Sequence, residues 1–293
     1  MKPLQEFEYP PEDEFWEYVK LILNYKPSRG RNKLAQTDEM QEVHLRATGE
    51  KIPDRVLSGK LLSPDGEVSA LGQELIRYFC RRAQQVSSLL DDLREEEEGL
   101  EEMESLGLIA KKHKPQSPGQ SESPRIVQQT IEAISQRVAA ESGMEVNTDP
   151  GGRCVMFVND HLLVTPRRMD GALPGLFNPV ALWEIKEYWG RAGGSKMSDV
   201  VYESELVGWA LYRFNKALPS AAQVHHYVII DGKGRWKGDS RGGRQSDLGR
   251  LVDLLNQGLI SELLYGKNIL PEWTRILHEE AERYQAREAK NSG

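Results

Sequence analysis

One stretch of the chain carries side chains whose types and spacing could do chemistry together: Asp170, a Gly175/Asn178-Pro179 turn, then Glu184-Ile185-Lys186. The run Val-Ala-Leu-Trp-Glu-Ile-Lys-Glu-Tyr-Trp over 180–189 reads as a strand. Alternate side chains of a strand share a face, so Glu184 and Lys186 point the same way, about 7 Å apart. Asp170 lies just before the turn at 175–179, and a hairpin would bring it beside Glu184 on the neighbouring strand. Two converging carboxylates repel unless a cation neutralises them. A hard divalent ion such as Mg²⁺ takes this oxygen ligation and keeps positions open for water. The lysine two residues on can orient or polarise such a water and offset the charge that builds on a phosphate during attack. This is a hydrolytic set for a phosphodiester. A Glu-x-Lys on a strand also reads as an exposed ladder pair. Against that, Leu182 shares the face of Glu184 and Lys186, and Trp183 and Ile185 flank them. That is the composition of a central strand, where an uncompensated charge is costly.

Cations surround the stretch. Arg167, Arg168, Arg191 and Lys196 could clamp phosphates, or be solvated charges near turns. The segment 232–245 holds five glycines, five cations and one tryptophan. As a loop it could follow a nucleic-acid backbone through Lys233, Arg235, Lys237, Arg241 and Arg244, with Trp236 packing on sugar or base. It is not a phosphate-binding P-loop, because no Gly-Lys-Ser/Thr follows its glycines. His225 and His226 are adjacent on a strand and point oppositely, so they cannot clamp one metal ion. Tyr202, Glu203 and Glu205 on the following helix, and Glu141 at the end of an earlier one, are further polar candidates with helix surface as the alternative.

The elements that must position these residues follow from periodicity. Arg125 to Glu141 reads as a helix with Ile126, Val127, Thr130, Ile131, Ile134 and Val138 as its buried stripe and Gly143 as its C-terminal glycine. Strands are expected at 154–158, 161–165, 180–189 and 225–230, and helices at 197–218, 246–264 and 271–290. Strands in meander and then alternating with helices give an α/β sandwich with a mixed sheet. Ahead of it the chain reads as helical, with Phe15, Tyr18, Val19, Ile22 and Leu23 at helical spacing and a long helix from Ala70 to Leu90, capped by Ser69. A basic stretch, Lys26 to Lys33, lies between. The segment 111–124 has linker composition, with three prolines and no large apolar residue. The division expected is a helical unit at 1–110, a linker at 111–124 and an α/β domain at 125–293.

The net charge of −7 argues against a polyanionic partner only until its distribution is seen. The 21 basic and 21 acidic residues from Arg125 onward leave 17 of the 38 basic and 24 of the 45 acidic residues to 1–124. Asp91 to Glu104 alone holds nine acids and one arginine, and reads as a solvated helix. The overall sign therefore leaves room for a local basic groove. Two cysteines, Cys80 and Cys154, are too few for a disulfide framework or a cysteine zinc site. No apolar run reaches the length of a membrane span and the first residues have no secretory h-region, so the expectation is a cytoplasmic protein without a membrane partner.

Asp170 followed 14 residues later by Glu184-Ile185-Lys186 resembles the D…E-x-K signature of the PD-(D/E)XK nuclease superfamily, which includes many type II restriction endonucleases. The family core is a helix, a meander of strands carrying the Asp and the E-x-K, a helix, and another strand; 125–232 reads in that order. Tyr-Val-Ile-Ile-Asp-Gly at 227–232, followed by a basic segment and a helix, is also similar to these enzymes. The likeness covers about residues 125–265, and it departs from the pattern at Met169, where a proline often stands. It implies an α/β fold with a mixed-sheet restriction-endonuclease-like core, preceded here by a mostly helical N-terminal domain that would recognise DNA or hold a dimer. It implies a Mg²⁺-dependent DNA endonuclease (Mn²⁺ substituting) that acts on double-stranded DNA and leaves a 5′-phosphate and a 3′-hydroxyl. Asp170, Glu184 and the Ile185 carbonyl would hold the metal, Lys186 would position the water, and a helix glutamate, Glu132, would complete the metal site. One site cuts one strand, so a homodimer is expected. Another nuclease of the superfamily (modification-dependent, junction-resolving or an effector of antiviral defence) remains open, as does a non-catalytic DNA-binding protein on this fold.

Overall fold

The computed structural model describes residues 1–24, 37–113, 123–189, 199–237 and 245–291. They form two compact units, Leu4–Ser88 and Met1–Pro3 with Leu89–Gly293. The first unit is helical: α1 (Glu14–Asn24), α2 (Asp38–Lys51), α3 (Arg55–Leu61) and most of α4 (Ala70–Asp92). Asp54 caps α3 by accepting from the amides of Val56 and Leu57, and Ser69 Oγ accepts from Gly72 N at 3.0 Å at the start of α4. Its core gathers Phe7, Phe15, Trp16, Val19, Leu45, Leu61, Leu75 and Tyr78, with the Phe15 and Tyr78 rings edge to face at 5.6 Å. The basic stretch 26–33 lies outside the described residues.

The second unit begins within α4, so the break falls between Ser88 and Leu89 and not at 111–124. The reason is the acidic segment. Helix α5 (Glu96–Ser105) exposes Glu97, Glu101 and Glu104 but buries Gly99 and Met103. A side chain at Gly99 would crowd Ile126 and Trp189, so the small residue lets the helix dock closely. The ends of the expected linker are themselves ordered. Strands β1 (Lys112–His113) and β2 (Ser123–Pro124) pair antiparallel, and the Lys111 amide donates to Gln129 Oε1 at 2.6 Å; 114–122 are outside the described residues.

Next come α6 (Ile126–Glu141), the hairpin β3 (Val155–Val158) and β4 (His161–Val164), then β5 (Gly171–Leu173), β6 (Ala181–Glu187), α7 (Asp199–Asn215), β7 (His225–Asp231), α8 (Lys233–Lys237), α9 (Gln245–Asn256), β8 (Glu262–Tyr265) and α10 (Ile269–Asn291). The central sheet has the order β5-β6-β7-β8, antiparallel between β5 and β6 and parallel thereafter. Met1 exchanges backbone hydrogen bonds with Leu263 at 2.6 and 3.0 Å, which ties the first residues to β8. The result is mixed α/β, with a helical N-terminal region before it.

Strand β8 replaces part of the helix expected over 246–264. α9 stops at Asn256, where Gly258 takes φ +78°, and the apolar residues beyond it are extended. Helices cover both faces of the sheet. Ile131, Ile134 and Val138 of α6 and Trp273, Ile276 and Leu277 of α10 pack with Trp183, Tyr227 and Ile229. On the other face Val207, Leu211 and Phe214 of α7 pack with Leu182, Ala172, Met156 and Cys154. This parity puts the even-numbered residues of β6, among them Glu184 and Lys186, on the α7 side.

Candidate active site

Strand register decides whether the two carboxylates meet. Gly171 pairs with Trp183 and Ala172 with Leu182, so the register continued by one residue sets Asp170 against Glu184. The Asp170 amide donates to the Trp183 carbonyl at 3.1 Å. Its carboxylate Oδ2 in turn accepts from the Ile185 amide at 2.8 Å, the bond a backbone carbonyl would otherwise make. The N–H and C=O of one strand residue point to the same side, so the Ile185 carbonyl also faces the Asp170 side of β6. Gly171 is required where it stands, because a Cβ there would fall inside the Trp183 indole.

Glu184 is 1% exposed and Lys186 18%. The Lys186 ammonium lies 3.3 Å from Glu184 Oε1. Two more groups join them. Arg167, from the segment between β4 and β5, pairs with Glu184 Oε1, and its Nη1 lies 3.1 Å from Glu203 Oε2. Lys186 Nζ lies 2.9 Å from the same Glu203 oxygen. Two cations thus share one oxygen from each of two carboxylates. The other oxygen of Glu184, Oε2, is buried and has no hydrogen-bond partner among the described residues. Beside Leu182 on the neighbouring strand lies His226, 2% exposed. Burial pushes its imidazole down to about 4, the Leu259 carbonyl pulls it back and the nearby Arg167 charge lowers it further, so at neutral pH it is uncharged. Burial raises the Tyr188 phenol, next on this face of β6, to about 12.

Hard oxygen donors suit Mg²⁺: two carboxylates, a backbone carbonyl on their side, and a carboxylate oxygen with its desolvation uncompensated. Among the described residues no three His, Cys, Asp or Glu side chains are grouped to hold an ion. Asp170 and Glu184 are two carboxylates opposed by register, with the Ile185 carbonyl on the Asp170 side of β6.

Other expected residues fall elsewhere. Glu132 is not part of the group. It accepts from Gln128 of its own helix at 3.0 Å, and α6 packs on the opposite face of β6. The glutamate that engages α6 is Glu187, which accepts from the amides of Val127 (2.9 Å) and Gln128 (3.2 Å) and from the Trp189 indole (2.5 Å). Burial raises its pKa above the ordinary carboxylate value, and those donors pull it back. This carboxylate caps a helix N-terminus from a strand. Trp236 is not available to a nucleic acid: it is fully buried in α8 and its indole donates to the Asp231 carbonyl at 3.1 Å. The segment expected as a loop begins as a short helix because Asp231 anchors it. Asp231 accepts from Arg94 Nε at 2.7 Å and from the amides of Arg94 and Gly232 at 3.0 and 2.9 Å. Lys233 reaches the Asp91 carbonyl at 3.1 Å. Arg235 is half-buried and Lys237 exposed. Arg168 pairs with Asp149. Arg191, Lys196, Arg241 and Arg244 lie outside the described residues. Tyr202 is exposed, with the Arg250 guanidinium 5.2 Å from its ring centre. Glu141 is exposed and 4.0 Å from Arg137. Both cysteines are free and buried, their thiols pushed to about 12 at Cys80 and about 11 at Cys154, so neither is a ready nucleophile.

Glu203 is the member the sequence marked least. Its signal was position: Val200 and Val207, one turn either side, are buried, so Glu203 borders the stripe that packs on the sheet.

A family profile described as "Domain of unknown function (DUF7687)" matches residues 82–280, a span that holds Arg167, Asp170, Glu184, Lys186 and Glu203. No curated protein and no solved structure matches the chain. Among the described residues no helix is long and apolar enough to cross a membrane.

Proposed function

The chain belongs to the DUF7687 family, a domain of unknown function, and we propose that it is a Mg²⁺-dependent DNA endonuclease with a core like that of the type II restriction enzymes. The observation that carries this reading is the opposition of Asp170 and Glu184 on adjacent strands, with Lys186 on the face of Glu184. The element order supports it: a helix, a strand hairpin, a strand pair bearing the carboxylates, a helix, then a parallel strand, with helices on both sheet faces.

A divalent ion held by Asp170, Glu184 and the Ile185 carbonyl would supply Lewis acidity toward the phosphate and a water activated for attack. Asp170 is held for this role by the Ile185 amide, which leaves its rotamer little freedom. Lys186 orients the attacking water and faces the charge that grows on the phosphoryl oxygens. Arg167 offers a planar, multi-donor group to a phosphate. The products are a 5′-phosphate and a 3′-hydroxyl. Double-stranded DNA is the partner, and two copies related by a two-fold axis would cut both strands.

The test is incubation of the full chain with methylated and unmethylated plasmid in Mg²⁺, followed by sequencing of the ends. Ends that form with the wild type and are lost in Asp170→Ala and Glu184→Ala support the reading. Cutting only of methylated plasmid would move it to a modification-dependent nuclease. Intact plasmid of both kinds, with the chain folded, overturns it.

A further inference from the structure

Among the described residues the charges at the site do not balance by themselves. Asp170, Glu184 and Glu203 carry three negative charges, and Arg167 and Lys186 carry two positive ones. The remainder is one negative charge around a carboxylate that is 1% exposed. A divalent ion alone would turn that remainder positive. A divalent ion together with one phosphodiester, which is a monoanion, closes the balance. In a site removed from water, an unbalanced charge is costly, so the two ligands should favour each other.

One of the two cations is built to move. Lys186 is fixed on the central strand β6. Arg167 lies in the irregular segment between β4 and β5, and its side chain is 27% exposed. It also occupies the carboxylate an incoming ion needs, since it pairs with Glu184 Oε1 while only Oε2 is unpartnered. An ion on the same carboxylate would repel the guanidinium. The guanidinium fork suits a phosphate as well as it suits a carboxylate.

We infer that Arg167 is the exchangeable counter-cation of this site: it neutralises Glu184 and Glu203 in the free protein and transfers to a substrate phosphate when a divalent ion takes Glu184. Ion and phosphodiester then bind cooperatively, and Arg167 carries the coupling. This rests on the nuclease reading for the nature of the substrate.

The experiment is calorimetric titration of the full chain with Ca²⁺, alone and in the presence of a short DNA duplex. Heat that survives in the Asp170→Ala/Glu184→Ala double variant is subtracted. For the wild type the duplex should tighten Ca²⁺ binding about tenfold or more. Arg167→Gln should bind Ca²⁺ without DNA about tenfold more tightly than the wild type and gain less than about threefold from the duplex. Arg167→Lys keeps the charge, so its affinity without DNA should stay near that of the wild type. Wild-type binding that the duplex leaves unchanged overturns the exchange, whether or not Arg167→Gln folds. So does an Arg167→Gln chain with wild-type affinity and coupling. In both cases site-specific Ca²⁺ binding leaves the nuclease reading standing. No site-specific Ca²⁺ binding with or without duplex overturns both.

Discussion

Gly171 lies directly across the strand pair from Trp183, and the indole fills the space where a side chain at 171 would begin. The glycine next to Asp170 is therefore a packing requirement of the site. Gly171→Ala must push the indole or the strand aside, and overpacking of this kind costs about 1–3 kcal/mol or more. Urea unfolding should show a lowered midpoint for Gly171→Ala, and little change for Gly152→Ala, where a Cβ meets nothing within 4 Å. Equal midpoints for both variants would refute the fit.

Arg94 and Asp231 are 2% and 0% exposed and paired at 2.7 Å. Burial raises the Asp231 carboxyl and the Arg94 charge pulls it back down. Removing one partner leaves an uncompensated buried charge, so Arg94→Leu should destabilise the chain by about 3–5 kcal/mol. Arg94→Leu combined with Asp231→Asn should cost less than the two single changes added together. A double-mutant cycle on unfolding free energies checks this; additive losses would mean the pair is not coupled.

His226 makes stability depend on pH. Its folded-state value of about 4 lies below the ordinary 6.5, so the unfolded chain binds its proton first. The favourable contribution is complete above pH 6.5 and is lost as pH falls from there through about 4. The expected loss is on the order of 3 kcal/mol. Unfolding free energies of the wild type and His226→Asn should converge over this window, because the variant lacks the titrating ring. Parallel pH profiles would show that the ring is not held neutral by burial.

The carboxylate pair was legible because both of its determinants are local. Period-two alternation gives the face of Glu184 and Lys186, and a short turn gives the strand opposite. What was not legible depended on distant partners. Glu132 reads as a completing metal ligand until packing shows that α6 lies on the odd-numbered face of β6. Trp236 sits among glycines and cations, as in a loop, and only the Asp231 anchor draws it inside. The glutamates of 95–104 read as solvated, yet two small or apolar positions among them, Gly99 and Met103, dock the helix. Leu259 to Leu264 is a short segment with two apolar pairs around Ser261 and Glu262, which periodicity alone cannot assign to helix or strand. Arg167 was expected at a phosphate and is found on Glu184 and Glu203, carboxylates of other elements that its own position in the sequence does not reveal.

The most direct test of the nuclease assignment is the single-turnover rate of plasmid cleavage in Mg²⁺ at saturating enzyme, measured with DNA affinity for the wild type and Lys186→Ala. In the proposed mechanism Lys186 would face the attacked phosphate and add little to ground-state binding, so its loss should act on the transition state. The account predicts a rate lower by on the order of 10² or more and an affinity within a few-fold of wild type. A Lys186→Ala chain that cuts at the wild-type rate once DNA is saturated would contradict it.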